Sequence, residues 1–543
     1  MLHGDILGER ASLTPNKTAL VCVNGERFSY RDLNLRAIQS AHIMRDHCRL
    51  SRNDRVAILS KNRLEFLDVF FATAKSGTIL VPLNVRLTAL ELAGILKSSG
   101  AKVLLYDGEL ADKIHHLQQD VAIAKQITHW IPLDPTPDSG PGYNQLCSSF
   151  PTTWSRPHPD PEDIYCLLYT SGTTGKPKGV MIPHRMVAWN AYNTALNWQL
   201  RESDVSPVFT PLYHAGGLFA FLTPIIAAGG TIVLHRDFDA GEVWRTIERE
   251  RCTVMLGVPT IYKMLLEVPE AATTNLTSVR WFISGGAPLP VELIEAYRHR
   301  GIILKQGYGL TEVGVNCFSM SEEEAIRKAG SIGRPMMFTE AKLIDAEGNA
   351  IPSTEEKLPS QTAQTVPTED TEGELCFRGP HVAKGYWQDP AATAAVLDPN
   401  GWFHTGDIAR RDSDGFYYIV GRSKDMFISG GVNVYPAEIE AELLRHPSVA
   451  DAAVIGVPHE TWGEVGVAFV VLKPAASAAS ADLEAEVSPA SLTTFLAARL
   501  AKYKLPKEFV FVESLPRTAY GKAVKADLRD QYSRMKASQN SPS

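Results

Sequence analysis

The sequence lacks an apolar run long enough to cross a membrane. Its most apolar stretch, residues 216–230, holds about fifteen residues and is interrupted by Thr223 and Pro224, whereas a membrane helix needs about twenty. The first residues also lack the basic-then-apolar layout of a signal peptide. We therefore expect a protein with no membrane span.

An excess of positive charge is also missing. The 54 Lys and Arg residues face 61 Asp and Glu residues, which leaves a formal net charge of −7. Without a global basic field, nucleic acid and anionic bilayers are not expected as partners. The seven cysteines are scattered and never stand in a C-x-x-C spacing, so we expect reduced thiols, no zinc ribbon and a cytoplasmic location.

What is present is an ordinary globular composition over 543 residues, with 44% apolar and 21% charged residues. An apolar run at 55–59 leads to an amphipathic helical pattern from Asn62 and then to a second apolar run at 78–83. The same order recurs at 88–107 and at 242–258. Such alternation predicts an α/β architecture of mostly parallel sheets covered by helices on both faces, with ligands at the carboxyl ends of strands.

Beyond Gly421 the pattern changes to short strands and helices, with Pro436 at the first turn of a helix. This change predicts a separate small α+β domain at the carboxyl-terminal end. Two stretches, 349–371 and 475–489, are rich in small and polar residues. They are predicted to be flexible surface loops.

The segment most indicative of chemistry is YTSGTTGKPKG, residues 169–179, which follows an apolar run. Backbone N–H groups and hydroxyls of such a loop can surround phosphate oxygens, and its lysines can neutralise their charge. It is not a Walker loop, because Thr170 stands where glycine is needed and Pro177 replaces the magnesium-binding hydroxyl residue. A flexible surface turn is the alternative, and the strand before the loop favours a binding site. The candidate nucleotide-binding residues of this loop are Thr170, Ser171, Gly172, Thr173, Thr174, Gly175 and Lys176.

With further segments in the same chain, this loop resembles the signature of the adenylate-forming enzymes, the superfamily of acyl-CoA synthetases, adenylation domains and firefly luciferase. The resemblance covers nearly the whole chain, and the motifs follow in the family's order. These segments are PLYHAGG (211–217), SGGAPLP (284–290), QGYGLTE (306–312), GELCFRGPHVAKGYW (373–387), HTGDIA (404–409), GRSKDMFISGG (421–431) and PRTAYGK (516–522).

The resemblance implies two domains, 1–423 and 424–543, with a mobile smaller domain that turns about a hinge at Lys424. It also implies three co-substrates or cofactors: ATP, Mg²⁺ and CoA. Glu312 and Thr170 match the family's magnesium positions; taken alone, an exposed Glu is usually a solvated surface residue.

Further nucleotide-binding positions follow from the same resemblance. Tyr308 would flank adenine, although a buried core tyrosine would give the same sequence. Asp407 can accept two hydrogen bonds from ribose hydroxyls and Arg422 can donate from the same side, and the alternative for both is a surface ion pair. The remaining matched positions around the base are Gly285, Gly286, Ala287, Gly307, Gly309 and Thr311.

The catalytic positions come from the resemblance as well. Lys522 matches the family's adenylation lysine, and His214 would lie beside the carboxylate of the substrate. From the residue alone, His214 could equally be a partly buried histidine whose hydrogen bonds are made within the protein. Gly430 and Gly431 match the backbone that lines the pantetheine tunnel.

The implied activity is an acid–CoA ligase that forms an acyl-adenylate from MgATP and transfers the acyl group to CoA, with Lys522, His214 and Glu312 as catalytic residues. The expected pocket wall is small and apolar, which favours an apolar tail and argues against a second carboxylate such as that of malonate. A medium- or long-chain fatty acid ranks first because no large residue at Ala215 or Gly216 closes the pocket, but an aromatic acid fits the same composition. A carrier protein as alternative acceptor and a homodimer are left open. The wall residues are His214, Ala215, Gly216, Phe219, Gly309, Val313, Gly314, Val315 and Asn316.

Overall fold

The structure is a computed structural model that describes residues 4–135, 142–170, 177–352, 370–430, 432–473, 487–517 and 523–539. The predicted loops 349–371 and 475–489 fall largely outside these ranges. Some predicted site residues lie wholly outside these ranges: Ser171, Gly172, Thr173, Thr174, Gly175 and Lys176 of the phosphate loop, Gly431, and Lys522.

The strands alternate with helices through the first 300 residues and become the main element after residue 400. In chain order they are β1 (Thr18–Cys22), β2 (Arg27–Ser29), β3 (Arg55–Leu59), β4 (Ile79–Leu83), β5 (Val103–Tyr106), β6 (His129–Pro132), β7 (Ile164–Thr170), β8 (Lys178–Pro183), β9 (Val205–Val208), β10 (Thr231–Leu234), β11 (Val254–Gly257), β12 (Trp281–Ser284), β13 (Leu304–Gln306), β14 (Phe318–Ser319), β15 (Arg334–Pro335), β16 (Glu340–Ile344), β17 (Thr371–Arg378), β18 (Phe403–Arg411), β19 (Tyr417–Arg422), β20 (Phe427–Ser429), β21 (Val432–Val434), β22 (Val449–His459), β23 (Gly463–Leu472) and β24 (Glu508–Phe511).

The helices begin at recognisable caps, such as Ser29 and Thr88, whose side chains accept hydrogen bonds from the first turn. In chain order they are α1 (Ile6–Leu13), α2 (Tyr30–His42), α3 (Leu64–Ser76), α4 (Ala89–Ser99), α5 (Ala111–Gln119), α6 (Val121–Gln126), α7 (Tyr143–Ser148), α8 (His184–Asn197), α9 (Thr223–Ala228), α10 (Ala240–Arg249), α11 (Pro259–Leu266), α12 (Glu270–Thr273), α13 (Val291–His299), α14 (Glu322–Arg327), α15 (Pro390–Ala394), α16 (Pro436–Leu444), α17 (Pro489–Ala497) and α18 (Lys525–Gln539).

The predicted β-α-β unit is the centre of a six-stranded sheet with the order β6-β5-β3-β4-β7-β8. Strands β3, β4, β5 and β6 pair in parallel, and Val56 lies opposite Leu80. The exception is β8, which runs antiparallel to β7. All five residues of β4 are buried, as expected for a strand covered on both faces.

Two smaller sheets also consist mainly of parallel strands. One has the order β2-β1-β10-β9, in which β10 pairs in parallel with both β1 and β9. The other has the order β11-β12-β13 and is parallel throughout. Its helix α10 and strand β11 correspond to the predicted pattern at 242–258. The α/β prediction for this part of the chain is confirmed.

The carboxyl-terminal region is built differently. Strands β22 and β23 form a long antiparallel pair within the sheet β21-β20-β23-β22, and β24 adds to β23 in parallel. Pro436 is the first residue of α16, whose Ile439 and Leu443 are buried in the core of this sheet. A further sheet has the order β16-β17-β18-β19. The predicted small α+β domain is therefore confirmed.

The chain divides into two compact units. The predicted boundary at 423/424 lies within the second unit, and the hinge role of Lys424 stays a prediction. None of the described helices is long and apolar enough to cross a membrane. The first unit comprises Met1–Gly286, Tyr297–Ala341 and Phe377–His404, and the second comprises Ala287–Ala296, Lys342–Cys376 and Thr405–Ser543.

Candidate active site

The ends of the predicted phosphate loop are fixed by a strand pair. Strand β7 ends at Thr170 and β8 begins at Lys178, and these two residues lie opposite each other in the antiparallel ladder. The Lys178 ammonium lies 5.0 Å from the centre of the Tyr386 ring, a distance at which the ring face attracts a cation. The mouth of the loop thus carries one hydroxyl residue and one positive charge.

Glu312 lies in a short 3₁₀ turn, Thr311–Val313, that follows β13. The Tyr386 hydroxyl donates a hydrogen bond to Glu312 Oε1 over 3.1 Å. Burial, followed by the Glu312 charge, raises the pKa of Tyr386, so the phenol remains a donor at neutral pH. The sequence prediction included Glu312 but not Tyr386, and the only signal for Tyr386 was its place in the motif at 373–387.

In the loop around Tyr308, the backbone atoms of residues 309 and 315 lie very close to each other. A Cβ atom at Gly309 would lie 2.2 Å from the carbonyl oxygen of Val315, so no other residue fits there. Val315 itself has φ 65°, a left-handed conformation that is strained for a β-branched residue. The Tyr308 ring lies 5.9 Å from that of Phe318 and 6.1 Å from that of Phe377, which fixes its orientation.

The predicted glycines at the adenine site follow two buried strands. Gly285 follows β12, and its missing Cβ would meet no atom within 4 Å. Gly286 has φ +80°, which favours glycine. Gly307 follows β13, and a Cβ there would lie 3.2 Å from Ile283. Ala287 is the first residue of the second unit.

Asp407 and Arg422 are partners in the second unit. They lie opposite each other on β18 and β19, with Arg422 Nε 2.8 Å from Asp407 Oδ1. Asp407 is only 4% exposed, and its backbone N–H donates to the Thr405 hydroxyl. A buried carboxylate held by one guanidinium is a suitable acceptor for hydroxyl groups.

The predicted hinge and tunnel residues lie further along the second unit. Lys424 lies in a short helical turn after β19, and burial, followed by the nearby Arg422 charge, lowers its pKa. Gly430 has φ +60°, and a Cβ there would lie 3.1 Å from the Trp462 ring. Gly431 and Lys522 lie outside the described residues, so their roles stay predictions.

His214 precedes a π-helical turn over Gly216–Leu222 that continues into α9. Burial, followed by the charge of Arg86, lowers the pKa of His214 to about 4. The imidazole is therefore neutral at physiological pH, and it can orient a carboxylate by hydrogen bonding but carries no charge to attract it. The ring lies 4.9 Å from that of Tyr213.

A cavity lies between α8, the π-helical turn and the loop after Glu312. Three of its lining residues were predicted as pocket wall: Phe219, Gly314 and Val315. Thr311, predicted as a nucleotide contact, also lines it, whereas His214, Ala215, Gly216, Gly309, Val313 and Asn316 do not. The lining residues that the sequence analysis missed are Ile182, Met186, Val187 and Asn190.

The residues in place fit a magnesium–nucleotide site by their chemistry. Glu312 supplies a carboxylate and Thr170 a hydroxyl, which are the hard oxygen ligands that Mg²⁺ prefers. A bound Mg²⁺ would neutralise phosphate charge. The phenol of Tyr386 keeps one oxygen of Glu312 in place through the hydrogen bond described above.

Comparison with known proteins agrees with this arrangement. The sequence profile of the AMP-binding enzyme matches residues 7–387, and that of the AMP-binding enzyme C-terminal domain matches residues 438–522. A feruloyl-CoA synthase of Amycolatopsis sp is 37% identical over 526 residues, 96% of this chain and 97% of that protein. The long-chain-fatty-acid–CoA ligase FadD13 of Mycobacterium tuberculosis is also 37% identical, over 98% of both chains.

Two solved structures resemble this chain over nearly its whole length. The ATP-bound MatB of Rhodopseudomonas palustris superposes with a TM-score of 0.85 at 30% identity and covers 98% of this chain and 99% of its own. The o-succinylbenzoate CoA synthetase of Bacillus subtilis, solved with its acyl-adenylate, has a TM-score of 0.81 at 31% identity and covers 97% and 98%. The chain therefore belongs to the AMP-binding enzyme family of the adenylate-forming superfamily, and it is an AMP-forming acid–CoA ligase that uses ATP and CoA.

Proposed function

We propose that the protein activates a carboxylic acid with a largely apolar tail, a medium- or long-chain fatty acid in the first place. The observation that supports this proposal is the cavity beside the Glu312 turn, whose wall includes Ile182, Met186, Val187 and Phe219. An apolar wall favours an apolar tail. Met186 is flexible and can adapt to tails of different length.

In the first half-reaction the substrate carboxylate attacks the α-phosphorus of ATP and pyrophosphate leaves. Glu312 and Thr170 would hold the magnesium ion of the nucleotide, Asp407 and Arg422 would bind the ribose, and Tyr308 would lie against adenine. Lys522 approaches the developing negative charge and lowers the barrier electrostatically. Neutral His214 orients the carboxylate. No covalent bond to the enzyme is needed.

In the second half-reaction the CoA thiolate attacks the acyl carbonyl and AMP leaves. Rotation at Lys424 removes Lys522 from the site and brings the Gly430–Gly431 backbone to the pantetheine arm. The pKa of Lys424 is lowered by burial, which is consistent with a side chain that packs against its neighbours in this conformation. Movement of the smaller domain thus separates the two steps.

An aromatic acid is the second candidate for the same pocket. The relatives named for ferulate and for a long-chain fatty acid are equally similar to this chain, at 37% identity. A carrier protein in place of CoA, and a homodimer, are compatible with the fold. We also propose a cytoplasmic location, on the scattered spacing of the seven cysteines.

The test is an acid panel from acetate to palmitate with benzoates and cinnamates, scored by pyrophosphate release with and without CoA or a carrier protein. A matched variant is Val187→Phe, which fills the cavity from α8. It should lower turnover of palmitate far more than that of acetate, and an equal loss would contradict the pocket assignment. Val187 is preferable to Gly314 for this purpose, because Gly314 has φ +88° and a side chain there would strain the backbone.

A further inference from the structure

One polar side chain in the wall of the cavity has a buried acceptor atom for which the described residues supply no hydrogen-bond donor. Asn190, in α8, is 2% exposed and lines the cavity. Its amide nitrogen Nδ2 donates a hydrogen bond of 2.6 Å to the carbonyl oxygen of Phe219, on the facing π-helical turn. The amide oxygen Oδ1 is buried, and none of the described residues donates a hydrogen bond to it.

The contact with Phe219 fixes which amide atom is the oxygen. A carbonyl oxygen only accepts hydrogen bonds, so the atom 2.6 Å from it must be the NH₂ group. A flipped amide would place two acceptor oxygens against each other. The atom left over is therefore an acceptor, and the group that satisfies it must be a donor.

Asn34 Oδ1 is likewise buried without a donor among the described residues, but Asn34 does not line the cavity, and a neighbouring asparagine of α8 shows the usual arrangement. Asn193, one turn further along α8, accepts hydrogen bonds at Oδ1 from Asn197 Nδ2 and from the Phe338 backbone. Asn316 donates to the Thr194 hydroxyl and to the Ala220 carbonyl. Buried amide oxygens normally find a partner, as Asn193 does, so the unpaired oxygen of Asn190, which belongs to a cavity wall, requires a reason.

Asn190 Oδ1 lies close to the backbone of Gly314, which also lines the cavity. A Cβ atom at Gly314 would lie 3.3 Å from Asn190 Oδ1 and 3.1 Å from the His381 carbonyl. Both distances are shorter than an ordinary van der Waals contact, so a side chain at position 314 would crowd the amide oxygen. Among the other lining side chains, those of Met186 and Val187 cannot donate a hydrogen bond, and the Thr311 hydroxyl donates none to Asn190 Oδ1.

We propose that Asn190 determines specificity by accepting a hydrogen bond from a hydroxyl group on the tail of the acid. The substrate class would be hydroxylated acids, in which an otherwise apolar tail carries a phenolic or an aliphatic hydroxyl. This inference rests on the proposed function, because it requires the cavity to hold the acyl tail. A site built around a hydroxyl rejects the analogue that lacks it, because the buried acceptor is then left unpaired.

The experiment compares kcat/KM for matched acids that differ only in the hydroxyl. One pair is 4-hydroxycinnamate and cinnamate, and the other is an ω-hydroxy fatty acid and its parent of equal length. The wild-type enzyme should prefer the hydroxylated member of one pair by about tenfold or more. The pair that shows the preference identifies the hydroxyl as phenolic or aliphatic. Equal kcat/KM values within both pairs would overturn the proposal without the use of any variant.

Two variants connect the preference to the residue. Asn190→Leu removes the acceptor and should bring the hydroxyl preference down to about one, whatever its effect on overall activity. Val187→Ala alters the same wall without touching the acceptor and should retain the preference. An unchanged preference in Asn190→Leu would contradict the role of Asn190. Should no acid of the panel yield a CoA thioester, the proposed function itself would fail, which is a separate outcome.

Discussion

The Tyr386 hydroxyl and the Glu312 carboxylate are joined by a hydrogen bond of 3.1 Å. They come from segments 74 residues apart, and the backbone N–H of Ala383 also donates to the Glu312 carbonyl over 2.8 Å. The turn that carries Glu312 is therefore attached to the segment before Tyr386 at two points. This attachment positions the carboxylate proposed to hold magnesium.

Replacing Glu312 by Gln should lower the rate of pyrophosphate release by roughly 10² or more, because the amide keeps the shape but loses the charge that holds a divalent cation. Tyr386→Phe should cost much less, since it removes a single hydrogen bond. Both effects are measured at saturating ATP over a magnesium titration. Glu323→Gln, an exposed position in α14, is the control, and an unaltered rate in Glu312→Gln would rule out this role.

Asp407→Asn should raise the KM for ATP by roughly tenfold, because the amide oxygen is a weaker acceptor for ribose hydroxyls than a charged carboxylate. The measurement is an ATP titration at saturating acid. The control is Asp370→Asn, which breaks the exposed ion pair with Arg410 and should change little. A KM in Asp407→Asn equal to that of the wild type would argue for a purely structural pair with Arg422.

Lys522→Ala should slow acyl-adenylate formation by roughly 10² to 10³, the usual loss when one preorganised charge is removed. Thioester formation from synthetic acyl-adenylate and CoA should be largely retained. The control is Lys525→Ala, which removes a nearby lysine that pairs with Glu440 over 2.8 Å. Equal losses in both half-reactions of Lys522→Ala would mean a general role in domain closure.

Burial lowers the pKa of three histidines, His214, His235 and His381, to about 4. Each is neutral in the folded state, whereas the unfolded chain takes up a proton below about pH 6.5. The free energy of unfolding should therefore fall as the pH drops from about 6.5 to 4, by up to about 1.4 kcal/mol per pH unit for each histidine. Urea unfolding at several pH values measures this slope.

The matched variant for the pH dependence is His381→Gln. His381 is 1% exposed, with Nδ1 2.7 Å from the Val313 carbonyl, and glutamine can keep that hydrogen bond but does not titrate. The slope of unfolding free energy against pH should become shallower in this variant. A slope equal to that of the wild type would show that His381 is protonated in the folded protein as it is in the unfolded chain.

The strands and helices could be predicted because their signals are local. The apolar runs that became β3 and β4 and the capping residue Thr88 are each visible within a few positions. Asn190 could not be found in this way, since the state of its amide group depends on contacts with Phe219 and Gly314, which are distant in the sequence. In the sequence nothing separates it from the other polar residues on the buried face of α8, such as Asn193 and Thr194.

The wall of the cavity was predicted only in part, because the residues that were missed can be recognised only by tertiary contacts. Its wall was expected from segments near His214 and Glu312, and Phe219, Gly314 and Val315 do line the cavity. The helix that closes it, α8, follows directly after the phosphate-loop strand β8 and carries no motif of its own. Which of its faces is turned to the cavity is set by tertiary packing, and packing leaves no periodic signal that identifies a ligand site.

The close approach between Gly309 and the Val315 carbonyl, together with the left-handed backbone of Val315, restricts how this enzyme can acquire new substrates. Any side chain at position 309 collides with its own loop, so the side of the cavity beside Glu312 can hardly vary without disturbing the loop proposed to bind the nucleotide. Met186, Val187 and Asn190 are on a regular helix and can be exchanged without altering the backbone. Divergence in acid preference should therefore accumulate on α8 while the loop remains constant, and directed evolution of this enzyme is best aimed at that helix.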